Sequence, residues 1–271
     1  MSETEKERAY RWDLFVAPDW SERFSQFAAA HVKVPEQGRV LEINCGTGAR
    51  AVDMAAGLRE GEVVGADPSA ERIAIARAKA LTANADRVHF AEEDPTDLTF
   101  GDESFDVVVV DASIEPTDRL GPIASEAVRV ACEGAPVALM TTLRGSFDEF
   151  FSIYWEALNE VGLADELLNA LEDLIYARPT LQQALDTFRE AGLVDVKSHR
   201  RKEEFRFDSG AAFLASPLVA DLFLDEWLAI VPPARLDEVR RAIEATIDRA
   251  REGSYFDISA KALLAEGHKG G

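Results

Sequence analysis

The sequence predicts an α/β protein: a doubly wound, mostly parallel seven-stranded sheet with helices on both faces and helical cap insertions. Three observations predict it. Short runs rich in β-branched residues recur at Val40 to Ile43, Val63 to Ala66, Val88 to Ala91, Phe105 to Val110 and Pro136 to Thr142. Helix-compatible segments separate the first four, the rhythm of strands joined by helical crossovers. The run Val107-Val108-Val109-Val110 is apolar on both strand faces, which only a strand covered on both sides tolerates, so it belongs near the sheet centre.

Before the first strand, Tyr10 to His31 carries Tyr10, Trp12, Phe15, Trp20, Phe24 and Phe27. Aromatics so spaced are expected to pack in a core, and residues 1–34 read as a helical arm placed to close over a ligand. Residues 35–271 read as the main domain. After the fifth strand the pattern changes to helical stretches rich in Phe, Tyr, Trp and Leu, giving an expected insertion at about 145–178. Thr180 with Gln183 matches a capping box, and Gly192 supplies a stop before a strand at Val194 to Val196. A second insertion is expected at about 211–252, where Leu236, Val239, Ile243 and Ile247 repeat at helical spacing as a packing face. Tyr255 to Leu263 reads as a last strand, and Gly267 to Gly271 as a fraying polar end.

Composition narrows the function. Fifty acidic against 29 basic residues give a net charge of -21, and such a surface repels phosphate backbones unless it carries a concentrated basic patch. The one candidate patch, His199-Arg200-Arg201-Lys202, is followed at once by Glu203 and Glu204 and reads as the solvated face of a strand or turn. No nucleic-acid partner is therefore expected. No apolar run approaches the roughly 20 residues that span a bilayer, and Met1 to Arg8 is charged rather than signal-like, so a cytoplasmic protein is expected. Two cysteines and four histidines without ligand spacing predict neither a disulfide framework nor a metal site.

The strongest chemical signal is Val40-Leu41-Glu42-Ile43-Asn44-Cys45-Gly46-Thr47-Gly48, an apolar strand with a carboxylate near its end, followed by a Gly-rich turn into a helix. Ligands of doubly wound sheets bind beyond the carboxyl ends of the strands, where glycines let the backbone approach them closely. The next strand ends at Asp67, 19 residues past Gly48, the distance at which a carboxylate reaches ribose hydroxyls. The third and fourth strands end in Asp94 and Asp111. Cys45, within the loop and with no histidine nearby in sequence, reads as a packing residue rather than a nucleophile.

These residues, with Asp94-Pro95-Thr96-Asp97-Leu98, Phe100 and Ser104-Phe105-Asp106-Val107-Val108 in order, resemble the Rossmann-like class I S-adenosylmethionine-dependent methyltransferases of small-molecule type. The resemblance covers about Arg39 to Leu143, with weaker similarity through Val196. It implies that Glu42, Asn44, Cys45, Gly46, Thr47 and Gly48 line the methionine part of the cofactor. It further implies that Asp67, followed by Pro68, holds the ribose, that Asp94 with Pro95 contacts the adenine, and that Asp111 sits beside the cofactor. Two departures stand out: Asn44 replaces the first glycine of the loop, a position where asparagine tolerates the left-handed conformation, and Glu133-Gly134-Ala135-Pro136 replaces a common Gly-Gly turn.

Methyl transfer from a sulfonium needs alignment and exclusion of water more than a catalytic side chain. Asp111, Glu115 and His31 are the candidates for a base. Trp12, Arg144, Tyr154, Tyr176 and Arg178 are candidates for holding a small-molecule acceptor, which the fold leaves unidentified. Two other readings stay open here. Gly46-x-Gly48-x-x-Ala51 with Asp67 also matches the NAD(P) fingerprint of oxidoreductases, although Glu42 and Asp94 would repel a pyrophosphate. A non-catalytic S-adenosylmethionine-binding module is the other. The apolar insertion helices also offer a surface for a homodimer.

Overall fold

The computed structural model describes residues 4–251 and 253–271. Residues 1–3, where the expected arm begins, and 252, where the expected second insertion ends, lie outside them. In chain order the elements are α1 (Glu5–Arg11), a π-helical turn (Trp12–Val16), α2 (Ser21–Ala29), β1 (Gln37–Ile43), α3 (Ala49–Gly57), β2 (Glu60–Asp67), α4 (Ala70–Ala83), β3 (Val88–Glu92), β4 (Val107–Asp111), α5 (Thr117–Val130) and β5 (Pro136–Thr142). There follow α6 (Asp148–Glu160), α7 (Ala164–Tyr176), α8 (Leu181–Glu190), β6 (Leu193–Phe207), α9 (Gly210–Ala215), α10 (Pro217–Leu222), α11 (Leu224–Leu228), α12 (Leu236–Ala250) and β7 (Phe256–Lys269).

One sheet holds all seven strands in the order β3-β2-β1-β4-β5-β7-β6. Strands β1 to β5 pair in parallel, and β7 returns antiparallel to β5 with Pro136 opposite His268 and Thr142 opposite Ala262. The four-valine run is the middle strand, each valine no more than 2% exposed. Burial of each stabilises the sheet by about 1.5–3 kcal/mol. The helix signals expected from sequence are present as well: Ser69 caps α4 by accepting from the Arg72 amide, and Thr180 and Gln183 form a reciprocal capping box at α8.

The chain divides into two compact units. The first comprises Met1–Thr142, Thr180–Arg201 and Ala262–Gly271, and the second Leu143–Pro179 and Lys202–Lys261. The two expected insertions thus belong to one body, completed by the distal stretches of β6 and β7. Its core is aromatic: Phe150 stacks on Trp227 at 4.4 Å, Phe223 on Trp227 at 5.2 Å and Phe150 on Phe213 at 5.2 Å. Val239, Ile243 and Ile247 of α12 are fully buried there, whereas Leu236 is half-buried.

Several expectations are corrected. Strand β6 spans 15 residues instead of three, and the basic run His199 to Lys202 lies within it. Strand β7 continues through Gly267 to Lys269, where a frayed end was expected; Gly267 lies opposite Val137, and the Gly270 amide donates to the Gly192 carbonyl at 3.0 Å. In the arm, Trp20, Phe24 and Phe27 are buried, but Tyr10 and Phe15 are 49% and 52% exposed. The π-turn accounts for Phe15: its wider winding breaks the 3.6-residue phase and turns that ring outward.

Candidate functional site

The loop after β1 runs in left-handed backbone. Asn44 has φ 59°, Gly46 φ 58° and Gly48 φ 78°. Asparagine is among the few residues that accept this region at low cost, and here its side chain adds a tie. The Asn44 amide donates to the Asp111 carbonyl at 3.0 Å and to Glu115 Oε1 at 3.1 Å, linking the end of β1 to the end of β4. Gly48 has no room for a Cβ, which would lie 2.6 Å from the Phe90 ring and 2.7 Å from the Ala76 methyl.

Asp67 closes β2 with a carboxylate 2% exposed. Its Oδ2 accepts from the Gly46 amide at 2.9 Å, and its Oδ1 accepts from the Ser69 amide at 2.9 Å and from Arg72 Nε at 2.8 Å. The Arg72 guanidinium in turn lies over the Trp12 indole, 4.9 Å from its centroid. The arm is clasped to the same loop: Asp13 accepts from the Thr47 hydroxyl at 2.5 Å and from the Lys79 ammonium, which also donates to Thr47 at 3.0 Å. Further along, Trp20 Nε1 donates to Ser113 Oγ at 2.8 Å, beside the end of β4.

Between arm, loop and strand ends lies a cavity of about 770 Å³, within the range of small-molecule sites. Its floor includes Glu42, Gly46, Asp67 and Asp111, and its arm side Trp12, Ala17, Trp20, Ala28 and Val32. Carboxylates outnumber cationic side chains in the lining seven to three, so the cavity favours positive charge. Burial pushes the carboxyls of Glu42, Asp111 and Glu115 above their ordinary values. Arg50 opposes the shift at Glu42 and Asp111, and Arg119 with the Asn44 amide opposes it at Glu115. Burial also drives the Cys45 thiol well above its usual range, with Glu42 and Asp67 adding to the effect.

Residues 40–134 match the family described as Methyltransferase domain. The chain carries a methyltransferase domain and is an S-adenosylmethionine-dependent methyltransferase. It is 24% identical over 165 residues to a demethylmenaquinone methyltransferase of Shouchella clausii, a match covering 58% of this chain and 70% of that one. In fold it is similar to the YcgJ protein from Bacillus subtilis, with TM-score 0.59 and 18% identity over 92% of this chain and 99% of that one. It is similar also to phosphoethanolamine N-methyltransferase 2 of Haemonchus contortus, solved with phosphomonomethylethanolamine and S-adenosylhomocysteine. That likeness has TM-score 0.58 and 16% identity, covering 99% of this chain and 59% of that one. The oxidoreductase and the non-catalytic readings are set aside by the family match and the methyltransferase relatives.

The methyltransferase brings Glu42, Asn44 to Gly48, Asp67, Asp111, Glu115 and Trp12 to one cavity. Other candidates stand elsewhere. Asp94 is exposed, its Oδ1 accepting from the Thr96 amide and hydroxyl and from Arg119, a local turn that already accounts for its charge. Pro68 is exposed, Pro95 is buried, and neither lines the cavity. His31 stacks on His199 at 3.8 Å, and His199 contacts Glu266 at 3.1 Å, so His31 belongs to a surface cluster rather than to the cavity.

Among the acceptor candidates in the second unit, Tyr154 is a core residue instead of a ligand contact. It is fully buried, and its hydroxyl donates to the Trp227 carbonyl at 3.0 Å. Arg178 is packed over the Phe147 and Phe223 rings, where burial lowers its pKa. Arg144 lies over the exposed Tyr176 ring and donates to the carbonyls of Tyr176 and Arg178, so it braces its own loop.

Sequence reasoning missed Arg50. Its Nε donates to Glu42 Oε1 at 2.8 Å with both side chains under 10% exposed. Among the described residues no group bonds its two terminal nitrogens, Glu42 Oε2 or Trp12 Nε1. Glu42 lies on β1 and Arg50 on α3, so no periodicity within one element relates them and only the fold reveals the pair. The described residues contain no group of side chains suited to a metal ion, and no helix long and apolar enough to cross a membrane.

Proposed function

We propose that the methyltransferase binds S-adenosylmethionine in the cavity beneath its arm and transfers the methyl group to a small-molecule acceptor. The observation that carries this reading is one cavity combining a left-handed glycine loop, the β2-terminal carboxylate of Asp67 and the free oxygen of Glu42. That orphaned buried oxygen is matched by an ammonium, the group the cofactor carries at its methionine end, so the residues present fit the cofactor. When bound, the cofactor supplies an electrophilic methyl on a sulfonium that is already a good leaving group.

The loop Asn44 to Gly48 lets backbone approach the ligand, Asp67 takes the ribose hydroxyls in place of Arg72, and Trp12 with the arm excludes water. Asp94, Pro68 and Pro95 line no part of this cavity and stay outside the reading. Asp111 or Glu115 accepts the proton of an acidic acceptor, their raised pKa values bringing them closer to neutrality, where a base is most effective. The small and apolar arm wall, with Ala17, Pro18, Ala28, Ala29 and Val32, supports an acceptor with an apolar body. The quinone in the name of the Shouchella clausii relative is the first class to try. The net charge of -21 argues against nucleic acid as acceptor. We place the enzyme in the cytoplasm, where unpaired cysteines stay reduced; sedimentation distinguishes a monomer from a homodimer.

The test is calorimetric titration with S-adenosylmethionine, S-adenosylhomocysteine and NADH in parallel, followed by transfer of labelled methyl into quinone and metabolite pools. Binding of the first two at micromolar strength, about -8 kcal/mol, with label recovered in a small molecule, supports the reading. Binding of NADH alone, or of none of the three by a folded protein, refutes it.

A further inference from the structure

Trp20, just before α2, is 1% exposed and stacks on Phe24 at 5.0 Å. Packing alone asks only for a large ring there, and phenylalanine supplies one. The indole adds a polar atom, and a buried indole N–H needs an acceptor. It finds one 93 residues along the chain: Nε1 donates to the Oγ of Ser113, itself 1% exposed, at 2.8 Å. Ser113 is fixed on its other sides. Its carbonyl accepts from the Thr142 hydroxyl at 3.0 Å, its amide donates to Asp111 Oδ1 at 3.0 Å, and its side chain bonds the same carboxylate. An indole nitrogen only donates, and a serine hydroxyl carries one proton. With Trp20 donating to Oγ, that proton is left for Asp111, so the relay runs in one direction, from the arm to the end of β4.

Asp111 sits where ionisation is opposed. Burial disfavours its charged form, Glu42 of β1 and Asp67 of β2 add like charge, and Arg50 of α3 acts against them. Glu22 of α2 lines the same cavity, and Glu115 is tied to the Asp111 carbonyl through Asn44. Arg119 of α5 pairs with Glu115 and Asp94, and β5 carries no charged side chain. We propose that Trp20 is a positioning residue: acting through Ser113, it holds the Asp111 carboxylate ionised toward the cavity when the arm is seated. The inference rests on the reading that this cavity holds S-adenosylmethionine, whose sulfonium an ionised Asp111 attracts. Such coupling is reciprocal, so a cation beside Asp111 strengthens the seat of the arm and a neutral thioether does not.

The test is a carboxyl NMR titration of Asp111 in the ligand-free protein, comparing wild type with Trp20→Phe, Ser113→Ala and the double variant. Ser113→Ala is expected to raise the midpoint by about one pH unit and Trp20→Phe by about half a unit, as for a lost and a loosened hydrogen bond to a carboxylate. The double variant moves no further than Ser113→Ala, because both changes break one relay. If Trp20→Phe fails to fold, benzothienylalanine in place of Trp20, which keeps the indole's shape without its N–H, serves instead. A Trp20 variant with the wild-type midpoint overturns the inference, as does a double variant whose shift is the sum of the two. Calorimetry at the wild-type midpoint carries the relay to the ligand: a half-unit shift cuts the ionised fraction about twofold, and the preference of Trp20→Phe for S-adenosylmethionine over S-adenosylhomocysteine falls with it. Binding of neither ligand by folded wild type overturns the cofactor reading, while the NMR midpoints still decide the relay.

Discussion

Replacing Asn44 separates two roles that the loop combines. In Asn44→Gly the left-handed backbone at φ 59° is kept without strain, but the amide bonds to the Asp111 carbonyl and to Glu115 Oε1 are lost. One acceptor is neutral and one charged, and both bonds are only part-buried, so together they contribute about 2 kcal/mol. The extra freedom of glycine in the unfolded chain costs a further half a kcal/mol or so. Asn44→Ala loses the same bonds and also forces an ordinary side chain into the left-handed region, adding about 1–2 kcal/mol. The expected order of stability is wild type, then Gly about 2.5 kcal/mol lower, then Ala about 1 kcal/mol lower again. Urea denaturation followed by circular dichroism reads the differences, and a carboxyl NMR titration of Glu115 gives a second check. Without the amide, the Glu115 carboxyl moves further up from its already raised value, by the same amount in both variants. Alanine and glycine variants of equal stability would refute the strain argument, and two variants within 0.5 kcal/mol of wild type would refute the assignment of the amide bonds.

Gly48→Ala is expected to destabilise by about 3–5 kcal/mol, combining left-handed strain with overlap against Phe90 and Ala76. Gly46→Ala, whose Cβ meets only Trp12 Nε1 at 3.6 Å, costs about 1–2 kcal/mol, and thermal unfolding of the two variants compares them. Asp13→Ala removes the clasp of Thr47 and Lys79 on the arm; amide exchange across residues 5–20 should speed up about tenfold, as for a local loss of about 1.4 kcal/mol, with residues 137–142 unchanged. For pH, the sign follows from carboxyls raised in the fold: Glu42, Asp111 and Glu115 bind protons more tightly folded than unfolded, so their contribution to stability grows as pH falls from their raised values toward the ordinary range near 4. Binding of a cationic cofactor runs the other way, weakening over that window and releasing protons, which calorimetry in buffers of different ionisation enthalpy detects.

What the sequence disclosed, and what it hid, follow from where physical constraint is local. Val107 to Val110 announces the central strand because no other environment tolerates four consecutive valines, and Thr180 with Gln183 announces a helix start because both bonds close within three residues. Asn44 is legible for the same reason, since its conformation is set by its own backbone. Strand β6 was not legible. Its stretch from Val194 to Arg201 has no buried residue, and alternation appears only near Phe205 and Phe207, so a long edge strand looks like a polar turn. Asp94 carried two meanings: the order of motifs points to the adenine, whereas Asp94-Pro95-Thr96 is also a compact turn that uses its carboxylate locally. Arg50 carried none, because its partner is chosen by the crossing of α3 over β1.

The charge balance of the cavity bears on turnover as well as on affinity. Glu42 and Asp67 are nearly inaccessible and Asp111 is half-buried, and the raised values of Glu42 and Asp111 mean that their ionised forms are disfavoured in the ligand-free protein. A ligand carrying positive charge relieves that penalty, so part of its binding free energy comes from groups the fold has left under-compensated. Methyl transfer converts a sulfonium into a neutral thioether while leaving the amino-acid end unchanged. Whatever holds that end therefore contributes equally before and after reaction, whereas attraction between a sulfonium and the surrounding carboxylates is present only before it. On this division the amino-acid end anchors the ligand and the carboxylate-rich cavity distinguishes substrate from product. Neutralising Asp111 should accordingly reduce the preference for S-adenosylmethionine over S-adenosylhomocysteine. If Asp111→Asn leaves the ratio unchanged, the carboxylates do not act on the sulfonium, and selection between the two must come from shape.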